Sequence, residues 1–335
     1  MPVSGGMSRW TVLLLLVLTL AGAVVASFAF GAKHIPFGEV VDGLLSPDGA
    51  ENSLIIREER LPRTVLGIAA GTALGLAGTL MQALTRNPLA EPGLLGVNSG
   101  AALAVVLVIG LLRVDEALVY VWAALAGAAV TAVLVYLLGS SGRYGATPAK
   151  LVLAGVAVNA VAVGVTTGVM LLIPRAFNGF RFWQVGSLGG QDLGVVLRIL
   201  PFLAVGLLLV ALLAGPLNTL ALGDEAARSL GGRPGLIRAA GGLAVVLLCG
   251  GATAAAGPLF FVGLAVPFAA RALAGTDHRW ILAYSALLAP VLLLGADVLG
   301  RLLGSPGELE TGLVTAFLGA PLFIFIVRRG KVPQL

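Results

Sequence analysis

Nine runs of 17 to 32 residues in this chain hold no Asp, Glu, Lys or Arg: 11–30, 64–84, 93–112, 117–138, 151–174, 199–222, 239–270, 280–296 and 311–327. A helix needs about 20 apolar residues to cross the hydrocarbon core of a bilayer, at about 1.5 Å per residue. Lipid offers no hydrogen bonds to the backbone, so such runs must bond to themselves as helices. The run at 239–270 is 32 residues long, more than one crossing needs, and Gly250, Gly251, Gly257 and Pro258 interrupt it. It reads as two helices joined near Gly257–Pro258, the first recruiting residues from about Leu236. The count becomes ten crossings, with both termini on one side of the bilayer.

Composition agrees. Hydrophobic residues make up 58% and charged residues 11%, with a mean hydropathy of +1.02. A soluble domain carries about 25% charged residues, so most of this surface faces lipid. The net charge of +5 does not point to nucleic acid, because the basic residues sit singly between apolar runs with no basic stripe. Ten crossings put 12 Lys/Arg on the side of the termini and 9 on the other. The positive-inside rule therefore favours cytoplasmic termini by a modest margin. The first apolar stretch, 20 residues long over 11–30, exceeds the usual core of a cleaved signal peptide and reads as a retained helix.

Chemistry-bearing groups are few. Cys249 is the single cysteine, and His34 and His278 are the two histidines, so no Cys/His metal cluster is expected. Three lysines, Lys33, Lys150 and Lys331, fit no phosphate-binding G-x-x-x-x-G-K-[ST] loop. A self-contained ion-coupled transporter usually buries acids or histidines in mid-membrane. Only Asp297, near a run end, comes close here. An intramembrane enzyme would need an Asp pair, a Ser/His dyad or a metal cluster, and none is evident.

The densest pattern runs from Arg60 to Gly100. Arg60 and Arg63 flank Leu61-Pro62, the crossing 64–84 follows, and a polar turn leads into the next run at Gly93. Gly71, Gly75 and Gly78 stand at a spacing that lets a neighbouring helix approach closely. In the turn, Pro88 fixes the backbone and Asn87 can satisfy freed amides. Farther along, Asn159 shares its run with Thr166 and Thr167. An amide at that depth is costly unless it packs on a polar partner or faces a wet path, and both readings stand. Leu217–Gly235 is short, helix-forming and bracketed by Gly and Pro, with Leu222 and Leu230 as apolar knobs among Asp224, Glu225 and Arg228. Arg301 follows Asp297 by four residues and could pair with it on one helix face.

Leu61-Pro62-Arg63, Gly71-x-x-x-Gly75-x-x-Gly78, Gln82 and Asn87-Pro88-Leu89-Ala90-Glu91-Pro92-Gly93-x-x-Gly96 come in order. So do Trp183-x-x-Gly186-Ser187-Leu188-Gly189, Ala256-Gly257-Pro258-Leu259, Asp277-His278-Arg279 and Gly319-Ala320-Pro321. This series resembles the FecCD-type, BtuC-like permeases of ABC importers for ferric siderophores, haem and vitamin B12. The matches cover nearly the whole chain. Two positions depart from the family pattern: Phe268 stands where His is usual, and Glu310 where Pro is usual.

The resemblance implies an all-α membrane protein with about ten transmembrane helices. It would be a single permease domain over 1–335 of the type II ABC importer kind, in the cytoplasmic membrane. Residues 216–235 would be cytoplasmic coupling helices, gripping an ABC ATPase through Leu222, Gly223, Asp224, Glu225, Arg228, Leu230 and Gly231. Arg60, Arg63 and Arg301 would dock an extracytoplasmic substrate-binding protein. Their planar guanidinium forks suit partner carboxylates, while snorkelling at helix ends is the plainer reading. Asn87, Pro88 and Leu89 would form the inner gate, opposed by Thr147 and Pro148 on position alone. Asn159, Thr166 and Thr167 would line the path, and Trp183 and Ser187 an outer vestibule wall. The chain would bind no cofactor itself, ATP and Mg²⁺ being held by the partner ATPase. A second permease subunit, identical or paralogous, would complete the pathway. A ferric siderophore is the expected substrate, with haem or cobalamin as alternatives, because residues 278–301 look most like catecholate-type permeases.

Overall fold

The computed structural model describes residues 8–31, 33, 35–45, 50–114, 116–141, 148–305 and 307–328. Helix α1 (Arg9–Ala29) opens the chain, capped by Ser8, whose hydroxyl accepts from the Thr11 amide at 3.1 Å. Short α2 (Phe37–Leu45) and α3 (Glu51–Leu54) lead through a π-helical turn, Ile55–Arg60, into α4 (Leu61–Thr85). A 3₁₀ turn, Pro92–Leu95, precedes α5 (Val97–Leu107), which continues as a π-helical segment to Leu112. Then come α6 (Ala117–Ser140), α7 (Pro148–Leu172), α8 (Pro174–Val185) and α9 (Leu193–Leu213). Two short helices, α10 (Pro216–Ala221) and α11 (Asp224–Ser229), lead to α12 (Pro234–Ala256), α13 (Val262–Ala274), α14 (His278–Leu303) and α15 (Thr311–Arg328).

Seven helices among the described residues are long and apolar enough to cross a membrane, and Val97–Leu112, Val262–Ala274 and Thr311–Pro321 are shorter apolar helices. The ten together match the crossings read from the runs. The expected break is present: α12 stops at Ala256, and Gly257 takes a positive φ of 71° before Pro258. One boundary differs. The run 199–222 is not a single crossing, because its helix α9 starts earlier, at Leu193, with the Asp192 carboxylate capping the Val195 amide at 2.9 Å. The run's last residues instead form α10, begun by Pro216, which suits a first helical turn because it has no N–H to leave unpaired.

Helix α4 is the axis of the packing. In its apolar window, 78% of residues are buried inside the protein, against 28% for α1 and 17% for α7. It lies along α12, α13 and α14. The three glycines explain how: a Cβ on Gly71 would come 2.6 Å from Pro290 Cα, on Gly75 2.7 Å from the Ser285 carbonyl oxygen, and on Gly78 1.9 Å from the Gly263 carbonyl oxygen. In lipid, helices associate through close van der Waals contact and interhelical hydrogen bonds. The Thr79 hydroxyl adds one of the latter, to Ser285 at 2.9 Å.

Candidate functional site

Helices α4 and α14 lie side by side, and each carries polar groups at both ends. From Asp277 to Arg301 the α14 axis covers about 36 Å, and α4 covers about 35 Å from Arg63 to Arg86, at about 1.5 Å per residue. One end holds Arg63 and Arg301; the other holds Arg86 and Asp277.

At the first end, Asp297 is fully buried and organises two arginines. It accepts from Arg63 Nε at 2.9 and 3.0 Å and from Arg63 Nη2 at 2.8 Å. Arg301 Nη2 lies 3.0 Å from Asp297 Oδ2, and the Thr311 hydroxyl donates to Oδ1 at 2.8 Å. Arg63 Nη1 also meets Glu308 at 2.6 Å. Arg301 reaches back to the Ser27 and Phe30 carbonyls at 3.1 and 2.9 Å, closing the end of α1. Arg60 donates to the Phe28 and Lys33 carbonyls. All three arginines lie together at the end opposite α10 and α11, but their forks are turned inward and occupied by groups of their own chain. They retain 5%, 9% and 2% exposure for Arg60, Arg63 and Arg301. The i,i+4 pairing of Asp297 with Arg301 is present. A small pocket of about 180 Å³ still reaches all three arginines, beside Lys33, Glu59 and Glu308. Next to it a cavity of about 600 Å³ is walled by Trp183, Ser187, Phe182, Tyr120 and Gln191. Trp183 and Ser187 are thus brought together, and Gly186, with φ of 75°, lets the Ser187 amide donate to the Ala256 carbonyl at 2.8 Å.

At the second end, α10 and α11 project Leu222 and Leu230, 66% and 65% exposed. Glu225, Arg228 and Gly231 are exposed beside them. Gly223 (φ 111°) and Gly231 (φ 78°) make the tight turns before and after α11, conformations that L-residues rarely adopt. Asp224 is the exception in the predicted set, because it faces back into the protein. Its carboxylate accepts from Arg238 through both terminal nitrogens at 2.8 Å and from Arg86 Nη2 at 2.8 Å. These arginines hold its carboxyl below the ordinary range, the Arg238 hydrogen bond contributing most.

The turn after α4 sits beside this pair. Arg86 ends the helix in the left-handed region, φ 50°. The Asn87 side chain accepts from the Leu89 amide at 3.0 Å, as expected of it, and Leu89 is 44% exposed. Of the opposing pair, Thr147 lies outside the described residues, and for Pro148 only its place at the start of α7 is described.

On α7, Asn159 donates to the Gly93 carbonyl at 3.1 Å and accepts from the Ser99 hydroxyl. Its amide is consumed by packing against the 3₁₀ turn and α5, so the packing reading fits its geometry. Thr166 is buried and Thr167 is exposed, among exposed Val161, Val163 and Val165.

Groups missed by sequence reasoning are the partners: Arg86, Arg238, Asn218 and Glu308. Asn218 on α10 donates to Asp277 at 2.9 Å and accepts from the His278 amide at 2.8 Å. Proximity of Arg86 to Asn87-Pro88 was the one available signal; the others depend on contacts between distant segments.

A family model for the FecCD transport family matches residues 14–329. The chain belongs to that family. Among its FecCD relatives is the ferric enterobactin transport system permease protein FepD of Escherichia coli, 46% identical over 317 residues and covering 94% of both chains. The probable siderophore transport system permease protein YfiZ of Bacillus subtilis is 39% identical, covering 96% of this chain and 97% of its own. A solved metal-chelate type ABC transporter in an inward-facing conformation superposes with a TM-score of 0.84 over 95% of this chain and 99% of that one, at 24% identity. That fold is therefore shared over 95% of this chain, and the protein is a multi-pass membrane protein.

Proposed function

We propose that this chain is the permease subunit of a binding-protein-dependent ABC importer that moves a ferric siderophore across the cytoplasmic membrane. One observation carries the reading: Leu222 and Leu230 stand exposed at the membrane end where the Asn87–Leu89 turn also sits. Exposed leucines on a short rigid helix pair fit insertion into a cleft of an ATPase subunit, and the chain itself has no phosphate loop. ATP and Mg²⁺ would be held by that subunit. The termini would be cytoplasmic. An extracytoplasmic binding protein would deliver substrate at the opposite end, its carboxylates reaching Arg60, Arg63 and Arg301 through the small pocket they line. The cavity around Trp183 and Ser187 would receive the chelate, its aromatic walls suiting catecholate rings. Thr167 lies on the exposed face of α7, which would meet the second permease subunit, identical or paralogous. Substrate identity rests on the relatives named for enterobactin and siderophore transport.

The test is purification of the tagged chain from native membranes in mild detergent. An ATPase subunit co-purifies, and the complex hydrolyses ATP faster when a binding protein loaded with ferric catecholate is added. Stimulation by a haem- or cobalamin-loaded binding protein instead would reassign the substrate. A chain that purifies without any ATPase would sink the reading.

A further inference from the structure

Arg86 connects two parts of the coupling end that are far apart in sequence. Its guanidinium donates to the Leu220 carbonyl at 2.6 Å and to Asp224 at 2.8 Å, across 134 and 138 residues. Its own backbone is the last link before Asn87-Pro88-Leu89, and its amide bonds the Gln82 carbonyl at the end of α4. We infer that Arg86 is a positioning residue that carries movement of the α10–α11 segment to the Asn87–Leu89 turn. The inference rests on reading that segment as the ATPase-docking element.

Three features make the connection a lever rather than a simple surface pair. First, α11 is six residues long and is bounded by Gly223 and Gly231 in glycine-type conformations, so it can tilt as a unit. Second, Arg238 on α12 grips Asp224 with a two-pronged fork. Charge-assisted bidentate pairs of this kind fix direction as well as distance. Arg238 therefore supplies a fulcrum on a long, mostly buried helix, and Arg86 takes the motion from Oδ1 of the same carboxylate, the oxygen it shares with Arg238 Nη2. Third, the turn beyond Arg86 is tied to itself and to the last turn of α4. The Asn87 amide bonds the Gln82 carbonyl at 3.2 Å, the Ala90 amide bonds the Asn87 carbonyl at 3.1 Å, and the Asn87 side chain holds the Leu89 amide at 3.0 Å. Displacing Arg86 moves this turn as one piece. The Arg86–Asp224 pair is about one-third exposed on each side, so its net contribution to folding is small. Its geometry gives it a role that its energy does not.

The test uses the chain together with its co-purifying ATPase. Leu89→Cys places a reporter on the turn, and the native Cys249 is buried and silent. The rate of labelling by a membrane-impermeant maleimide is read with and without ATP plus vanadate. In the Leu89→Cys parent the rate changes with nucleotide. Adding Arg86→Gln removes that change while the ATPase still co-purifies, and Arg86→Lys restores part of it. An unaltered nucleotide response in Arg86→Gln would overturn the inference. So would loss of ATPase co-purification on Arg86→Gln, because Arg86 would then only support the docking segment, and so would a parent that binds ATPase yet shows no response. A parent that captures no ATPase would instead defeat the importer reading itself.

Discussion

Asp297 is the residue on which the arginine end of the bundle depends. It is fully buried and pairs with both Arg63 and Arg301, Glu308 supplying the second negative charge. Removing one partner of a buried ion pair leaves a charge without compensation, at a cost of about 3–5 kcal/mol. Asp297→Ala is expected to destabilise the protein by that order, read as a fall in the thermal midpoint of the purified complex, and an unchanged midpoint would show that the cluster is solvated. The same geometry changes how docking is tested: a charge reversal at Arg63 would set an acid against Asp297 and Glu308 and break the cluster before it reported on a partner. The sequence reveals the arginines and their end of the bundle. It does not reveal their direction, because Asp297 and Glu308 lie 234 and 245 residues from Arg63.

Asp224 supports a prediction about pH. Its carboxyl sits below its ordinary value, chiefly through the hydrogen bond from Arg238, with attraction from Arg86 and Arg228. A lowered folded-state pKa means that the contribution is present above the unfolded value, about 3.9, and is lost as pH falls through the lowered one. The Asp224 carboxylate therefore stays ionised from about pH 8 to pH 5. The ratio of Leu89→Cys labelling rates with and without nucleotide is expected to be flat over that window, although each rate rises with pH because the thiolate is the nucleophile. A midpoint within it would point to another titrating group.

Among the elements, α4 shows what spacing can and cannot say. Glycines at 71, 75 and 78 announce a close helix contact, and the structure supplies the partners, α13 and α14. Gly78→Ala would press a methyl group onto the Gly263 carbonyl at 1.9 Å, where backbone must move. The expected cost is at or above the top of the about 1–3 kcal/mol range for overpacking. Gly22→Ala on α1, where an added Cβ meets nothing within 4 Å, serves as the control and is expected to leave the thermal midpoint unchanged. Equal effects of the two would refute the packing account. The break at Gly257–Pro258 was legible because Gly and Pro punctuate helices strongly. The end of α9 was not, because α10 is apolar too and hydropathy does not separate a lipid-facing residue from one buried against a neighbouring helix. Asn159 was ambiguous for a related reason: its polarity is visible in sequence, but its partners Ser99 and Gly93 belong to another segment.

Across the whole molecule, α4 and α14 run in contact from the buried arginine cluster to the α10–α11 segment. Asn218 ties α10 to the start of α14, and Arg86 ties it to the end of α4. The two ends of the transporter are thus joined by two rods packed through glycine. The central claim is that this assembly is passive until an ATPase acts on it. The direct measurement is uptake of radiolabelled ferric catecholate into proteoliposomes holding the permease–ATPase complex, with the loaded binding protein on the outside. Uptake that requires ATP and the ATPase subunit, and that ignores proton and sodium gradients, is the predicted result. Gradient-driven uptake by this chain alone would contradict it.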